Sequence, residues 1–144
     1  MTVGTRTLRS KPYSTTASKM QYLLDTCAYI AVLDSNDRLS AETKAILLNP
    51  ANKIFVSAIT GAEIAIKSSL GKLRVAADHN LEVTRRGFLH LPVSYEHGYA
   101  LQELPAHHRD PFDRLLIAQA RSEQLTIITS DRIFEAYSVQ LQPI

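Results

Sequence analysis

The sequence predicts an α/β fold, a three-layer α/β/α domain with a central, mainly parallel sheet. Short apolar segments alternate along the chain with segments of helical periodicity. Several of the apolar segments have no polar interruption, as expected of parallel strands that are buried on both faces. The length of 144 residues fits one domain, and we find no internal repeat or linker.

In the first half, an apolar strand at residues 22–24 stops at Asp25, and a helix follows over 27–33. Ser40 has the position of an N-cap for a helix that ends near Leu48. The segment KIFVS (53–57) is a second buried strand. Thr60 and Glu63 have the spacing of a capping box, so the next helix is expected to begin at Thr60 and to end before Gly71.

In the second half, the patterns predict a helix, a strand, a further helix and a loop before the most strongly periodic helix. Asp110-Pro111 begins that helix, because Asp suits the N-cap and Pro the first turn. The other predicted elements are a helix over 81–86, a strand over 88–93, a helix over 94–103, a loop over 104–109, a strand over 125–129, a short helix over 133–137 and a last strand over 139–141.

Charge separates the N-terminus from the rest. Residues 1–20 contain four Lys or Arg and no acid, whereas residues 21–144 have a small excess of acids. The first segment is rich in Ser and Thr and lacks hydrophobic periodicity, so we expect a basic, disordered extension. Three interpretations remain: a transit peptide, an arm that contacts RNA phosphates, or a translation start at Met20, which we favour because an apolar strand follows at once. The predicted folded domain is therefore 21–144.

Several classes of protein are disfavoured. No apolar run approaches the roughly 20 residues that cross a bilayer, so no membrane partner is expected. No Gly-rich phosphate loop is present, which argues against a nucleotide cofactor. Cys27 is the only cysteine, so no intramolecular disulfide can form, and a cytoplasmic location is expected. We expect Cys27 to be a small buried residue rather than a nucleophile.

Three of the four candidate carboxylates follow predicted strands, and the fourth lies at the start of a predicted helix. Asp25 follows the first strand, Glu63 lies shortly after the second, and Asp131 follows the LTIIT strand. Asp113 lies in the first turn of the helix that begins at Asp110-Pro111. Because sites in open parallel sheets lie beyond the carboxyl ends of the strands, we expect the four to share one edge. Clustered carboxylates repel each other unless a cation is bound, and hard ions such as Mg²⁺ prefer oxygen ligands.

Each acid also has a purely structural interpretation. Glu63 fits the capping box with Thr60, Asp113 fits the acidic first turn of its helix, and Asp25 and Asp131 fit N-cap positions. Taken singly, capping explains each residue better than metal binding. Capping does not explain why all four fall at one predicted end of the sheet, and the two roles are compatible because a carboxylate has two oxygens.

The segments LLDTCAYI, VSAITGAEIAIKSSLGKL, LPAHHRDPFDRLLIAQA and LTIITSD resemble the PIN-domain family, in particular VapC-type toxins of bacterial toxin–antitoxin pairs. The resemblance covers about residues 21–144. It depends on all four segments at their spacing and not on any one segment alone. Two features depart from it: Ala62 stands where relatives usually have a bulky aromatic residue, and the N-terminal extension is not typical.

The resemblance implies a PIN-like α/β/α domain with Mg²⁺- or Mn²⁺-dependent endoribonuclease activity on tRNA or ribosomal RNA. It also implies a cognate antitoxin and a homodimer as partners. The family's catalytic, metal-binding acids carry over to this chain as Asp25, Glu63, Asp113 and Asp131. Thr26 and Ser130 fall where family hydroxyls support the metal ligands. Two alternatives stay open: a PIN nuclease of RNA maturation, or a catalytically silent scaffold that binds RNA or protein.

Other polar residues are weaker candidates. Asp110 could assist the metal site, although N-capping explains it better. Histidines in the loop before that helix could contact phosphate or transfer protons, and three cations could neutralise RNA phosphates. Solvated surface charge is the competing explanation for all of them. The RNA-binding candidates are Lys67, Lys72, Arg114, His107 and His108.

Overall fold

The computed structural model describes residues 20–35 and 38–144. These residues form one five-stranded sheet in the order β3-β2-β1-β4-β5, and every pair of neighbouring strands is parallel. The predicted α/β fold with a parallel sheet is confirmed. The strands are β1 (Gln21–Leu24), β2 (Lys53–Ser57), β3 (Leu89–Leu91), β4 (Thr126–Thr129) and β5 (Leu141–Pro143). The predicted extension lies outside the described residues except for Met20.

Six α-helices connect these strands within the described residues. They are α1 (Thr26–Leu33), α2 (Ala41–Leu48), α3 (Ala58–Ser69), α4 (Leu81–Arg85), α5 (Tyr95–Tyr99) and α6 (Pro111–Glu123). Two 3₁₀ helices, Ala100–Glu103 and Arg132–Ala136, complete the connections. None of the helices in residues 20–35 and 38–144 is long and apolar enough to cross a membrane.

The core has two halves because side chains alternate across the sheet. Leu24 and Ile128 pack with α1 and Ile64 of α3 on one face. Leu23 and Ile127 pack with α6 on the other face. The central strands β1 and β4 are thus covered on both sides, which explains their uninterrupted apolar sequences.

The start of α3 differs from the prediction. The helix begins at Ala58, and the Ser57 hydroxyl caps it by accepting a 2.9 Å hydrogen bond from the Ile59 amide. Thr60 is buried inside the helix, so the predicted Thr60–Glu63 capping box is wrong. The reason is that β2 passes directly into α3, and its last residue supplies the cap. Glu63 consequently lies in the second turn of α3.

Other boundaries also differ, and β3 spans only Leu89–Leu91 of the predicted strand over 88–93. The predicted helix over 94–103 is split, because α5 ends at Tyr99 and continues as a 3₁₀ helix. The last strand begins at Leu141 rather than at residue 139. Val139 instead packs against the α6 half of the core, and its amide bonds to the Tyr137 carbonyl. A single-sequence pattern cannot distinguish that apolar turn residue from a strand residue.

Candidate active site

The candidate site lies at the carboxyl edge of the three central strands, β2, β1 and β4. Asp25 comes directly after β1, and Asp131 is the second residue after β4. α3 starts at the end of β2 and carries Glu63, and α6 packs on α3 and carries Asp113 in its first turn. We refer to these four residues as the acidic pocket.

Asp25 is the most deeply buried acid of the pocket, with 3% of its surface exposed. Its Oδ1 accepts a 2.8 Å hydrogen bond from the Ala28 amide, which caps α1, and its Oδ2 accepts a 2.5 Å bond from the Thr129 hydroxyl. The pKa of Asp25 is raised to about 6, mainly by burial; the two hydrogen bonds lower it, and the charges of Asp113 and Asp131 also raise it. Asp25 is therefore an N-cap and also a member of a charged cluster.

Glu63 is also buried, and only one of its oxygens has a partner. Lys67, one turn later in α3, donates from Nζ to Glu63 Oε2 at 2.6 Å. Glu63 Oε1 is buried without a hydrogen-bond partner. A buried carboxylate oxygen without a donor is costly in a folded protein, so this atom indicates a missing ligand.

Asp113 and Asp131 approach each other together with a histidine. Ligand atoms of His108, Asp113 and Asp131 all lie within 4.8 Å of one another. His108 Nε2 and Asp113 Oδ2 are 2.8 Å apart. Burial is the main cause that raises the pKa of Asp113, and the charges of Asp110 and Glu63 act in the same direction. Asp25 and Glu63 lie outside that tight group, but their charges act on its members.

The hydroxyl that supports the pocket is the one on Thr129, which the sequence analysis missed. Thr129 Oγ1 donates to Asp25 and accepts a 2.9 Å hydrogen bond from the Asp131 amide, so it links the ends of β1 and β4. The predicted Ser130 is exposed. The predicted Thr26 is buried, and its hydroxyl contacts that of Thr60 at 3.1 Å. A Thr at the end of a strand was the available signal, but the β1–β4 pairing that makes it useful is a tertiary feature.

Asp110 and Asp131 both act as N-caps, as the structural interpretation expected. Asp110 Oδ1 accepts hydrogen bonds from the amides of Phe112 and Asp113, at 2.8 and 3.2 Å. Asp131 Oδ1 accepts a 3.0 Å bond from the Ile133 amide. Each cap uses one carboxylate oxygen, so the second oxygen of Asp131 is available to act together with His108 and Asp113.

The predicted RNA-binding cations differ in their surroundings. Lys67 is paired with Glu63, and Arg114 donates to the carbonyls of Leu101, Pro105 and His108, so it holds the loop before α6. Lys72 is exposed beyond the end of α3. The ring of His107, also exposed, stands edge-on to Tyr137 at 5.3 Å.

Cys27 is exposed, so the prediction that it is buried is wrong. It is the second residue of α1, directly after Thr26 and two residues after Asp25. Partial burial is the main cause that raises the pKa of its thiol, and the charges of Asp25, Asp113 and Glu63 add to that rise. Burial and the negative charge of the pocket together outweigh the helix N-terminus, which would favour a thiolate.

The donor set fits a hard divalent cation. The four side chains of the pocket offer carboxylate oxygens, which Mg²⁺ and Mn²⁺ prefer. The unpartnered Glu63 Oε1 and the raised pKa values of Asp25 and Asp113 agree with this fit, because a bound cation would remove both penalties.

The sequence model of the PIN domain family matches residues 22–140 of this chain. Solved structures with the same fold include a chain of VapBC2 from Rickettsia felis bound to a DNA fragment from their promoter. It has 19% identity and a TM-score of 0.65, and the match covers 86% of this chain and 98% of that chain. A chain of DNA-bound VapBC from Salmonella typhimurium has 20% identity and a TM-score of 0.62, with the same two coverages.

A chain of VapBC-5 from Mycobacterium tuberculosis, a member of the VapBC family of toxin–antitoxin systems, has 22% identity and a TM-score of 0.52. That match covers 86% of this chain and 97% of that chain. A comparison with curated protein sequences gave no match.

Proposed function

This chain belongs to the PIN-domain family, and from that membership we propose that it is a Mg²⁺- or Mn²⁺-dependent endoribonuclease, the toxin of a toxin–antitoxin pair. The observation that carries the proposal is the acidic pocket. Four separate parts of the chain bring carboxylates to one edge of the sheet, where burial and mutual charge raise the pKa values of Asp25 and Asp113. Helix capping accounts for single oxygens of Asp25 and Asp131, but not for the charge effects that link the four acids.

Asp25, Glu63, Asp113 and Asp131 would hold the ion. When bound, Mg²⁺ or Mn²⁺ neutralises the carboxylates, activates water for attack on phosphorus and stabilises the leaving oxygen. Lys67 orients Glu63 through Oε2 and so directs Oε1 as a ligand. Thr129 fixes Asp25 and the start of the segment that carries Asp131.

The reaction assigned to the pocket is hydrolysis of an RNA phosphodiester bond. One carboxylate of the pocket accepts the proton of the attacking water, the phosphorus–O3′ bond breaks, and the leaving 3′ oxygen takes up a proton. The products carry a 5′-phosphate and a 3′-hydroxyl. Exposed Lys72 and His107 are candidates for contacts with RNA phosphates.

The toxin assignment is supported by the solved relatives, which come from complexes described as VapBC or toxin–antitoxin systems. We propose accordingly that a small antitoxin protein binds this chain, that the toxin is a cytoplasmic homodimer, and that tRNA or ribosomal RNA is its substrate. Expression of this chain should arrest bacterial growth, and co-expression of an adjacent small open reading frame should relieve the arrest. Cleavage without growth arrest would instead favour a nuclease of RNA maturation.

The decisive test of the enzyme is Asp25→Asn. The wild-type protein with Mn²⁺ or Mg²⁺ should cleave a pool of tRNA and ribosomal RNA, and EDTA should abolish cleavage. Asp25→Asn should lower the rate by at least about 100-fold, because the neutral amide is a poor ligand for a hard cation. Glu42→Gln, which removes an exposed acid on α2, should leave the rate unchanged.

Thermal unfolding of both variants would verify that each one is folded. Wild-type cleavage that survives EDTA, or full activity of Asp25→Asn, would contradict the proposed enzyme. A folded wild-type protein that binds the ion but never cleaves RNA would favour the silent scaffold.

A further inference from the structure

His108 is held more firmly than an ordinary loop residue. Its side chain is 22% exposed and its ring packs against the ring of buried Phe134, with centroids 6.3 Å apart. Its carbonyl accepts a hydrogen bond from Arg114 Nη1. Its ring nitrogen Nδ1 lies 3.1 Å from the amide nitrogen of Arg109, and Nε2 lies 2.8 Å from Asp113 Oδ2. Backbone and side chain are thus fixed together just before α6.

The hydrogen bonds decide which nitrogen carries the proton. The backbone amide of Arg109 donates to His108 Nδ1, so Nδ1 must present its lone pair. The proton of the neutral ring is therefore on Nε2, which faces Asp113 Oδ2. With its Nε2 lone pair used by this proton, His108 is a hydrogen-bond donor to Asp113 and is not poised as a metal ligand.

We propose that His108 is a positioning residue of the acidic pocket, whose fixed Nε2–H group holds the Asp113 carboxylate through Oδ2 and directs its Oδ1 to the ion. The inference rests on the proposed function insofar as the pocket binds a divalent ion. A donor that restrains a ligating carboxylate reduces the entropy that the side chain loses when the ion binds. His108 thereby acts on metal affinity through Asp113 and without contact to the ion.

The alternative is direct ligation, since ligand atoms of His108, Asp113 and Asp131 lie within 4.8 Å of one another. Direct ligation through Nε2 would require the ring proton to move to Nδ1, where it would meet the N–H of Arg109. The two roles are distinguished by whether a histidine nitrogen is coupled to the bound ion.

The test uses Mn²⁺ alone as the probe, with the full chain and three variants. His108→Gln retains an N–H donor at similar reach, His108→Ala removes it, and His90→Gln alters an exposed histidine on β3 as the control. Free Mn²⁺, measured by electron paramagnetic resonance, gives the dissociation constant, and pulsed resonance detects ¹⁴N bound to the ion. Circular dichroism verifies the fold of each variant.

We expect His108→Ala to weaken Mn²⁺ binding by about 10-fold or more, within the range seen when groups behind a metal ligand are removed. His108→Gln should recover most of the affinity, His90→Gln should match the wild type, and no variant should show directly bound ¹⁴N. Unchanged affinity in His108→Ala would overturn the proposal. So would ¹⁴N coupling in the wild type that His108→Ala abolishes, or equal losses in the Ala and Gln variants.

RNA cleavage, measured separately, keeps this inference distinct from the proposed function. A protein that binds Mn²⁺ with the expected order of affinities but never cleaves RNA would retain the role of His108 and lose the nuclease. A wild-type protein that does not bind Mn²⁺ at all would overturn both.

Discussion

Beside the acidic pocket, the molecule contains a second set of buried polar side chains, which we call the polar chain. The Ser57 hydroxyl donates to Gln119 Oε1 at 2.6 Å, and Gln119 Nε2 lies 3.3 Å from His97 Nδ1. His97 Nε2 in turn lies 2.9 Å from the carboxylate of Glu123, which is partly exposed. The polar chain therefore joins the start of α3 to α6 and α5.

The two regions bury polar atoms with opposite results. In the polar chain each donor meets an acceptor: Gln119 Nε2 also donates to the Pro92 carbonyl, and His97 Nδ1 accepts from the Ser94 amide. In the acidic pocket like charges face one another, and Glu63 Oε1 has no partner. The satisfied region should stabilise the fold by itself, whereas the pocket should cost stability until a cation binds.

The largest expected effect is in the polar chain. Gln119→Leu has a similar volume but removes the amide, so the buried Ser57 hydroxyl loses its acceptor and the Pro92 carbonyl loses a donor. We expect the free energy of unfolding to fall by about 3 kcal/mol, the upper end of the range of about 1–3 kcal/mol for one buried unsatisfied group, because Ser57 is almost fully buried. Urea unfolding measures the change, with Gln102→Leu, an exposed position, as the control. A loss below about 1 kcal/mol would show that the polar chain is not needed for stability.

In the acidic pocket we expect removal of a polar group to have the opposite effect, so that replacing Asp25 increases stability at neutral pH. The pKa of Asp25 is raised from 3.8 to about 6 in the folded protein, so between these values the folded state binds more protons than the unfolded state. The contribution of Asp25 to stability is thus favourable at low pH and is lost as the pH rises through about 6. A shift of this size corresponds to about 3 kcal/mol, and relaxation of the metal-free pocket reduces it, so we expect about 2 kcal/mol.

The measurement compares wild type with Asp25→Asn in excess EDTA, by urea unfolding at about pH 4.5 and about pH 7.5. The stability of Asp25→Asn relative to the wild type should increase over this interval, because only the wild type has a carboxylate that must ionise there. A constant difference between the two proteins would mean that Asp25 is not destabilised by its surroundings.

A smaller effect is expected on the thiol of Cys27, whose pKa depends on the charge of the acidic pocket. The charges of Asp25, Asp113 and Glu63 help to raise the pKa of its thiol, so Asp113→Asn should lower that pKa. Alkylation of the single cysteine by iodoacetamide at about pH 8 should become faster in the metal-free variant. Glu135→Gln, an exposed acid in the last 3₁₀ helix, should leave the alkylation rate unchanged. Equal rates in Asp113→Asn and wild type would indicate that the pocket charges do not reach Cys27.

Local chemistry determines much of the fold. β2 has the predicted bounds, α2 starts after Ser40 as predicted, and Asp110 caps α6 as the Asp-Pro pattern indicates. These features depend on contacts between residues at most about four positions apart, and such residues are neighbours in space as well as in sequence. The candidate acids could be identified in the same way, because each follows a strand or adjoins a helix start; their role as metal ligands stays a prediction.

Contacts between distant segments are decided only by the assembly of the sheet. β1 lies between β2 and β4, and that order brings the Thr129 hydroxyl to Asp25, 104 residues away in sequence. The same assembly leaves Cys27 exposed and packs the ring of His108 against that of Phe134. Sequence periodicity reports which face of an element is apolar, but it contains no information about which element that face meets, and the partners of these side chains depend on that pairing.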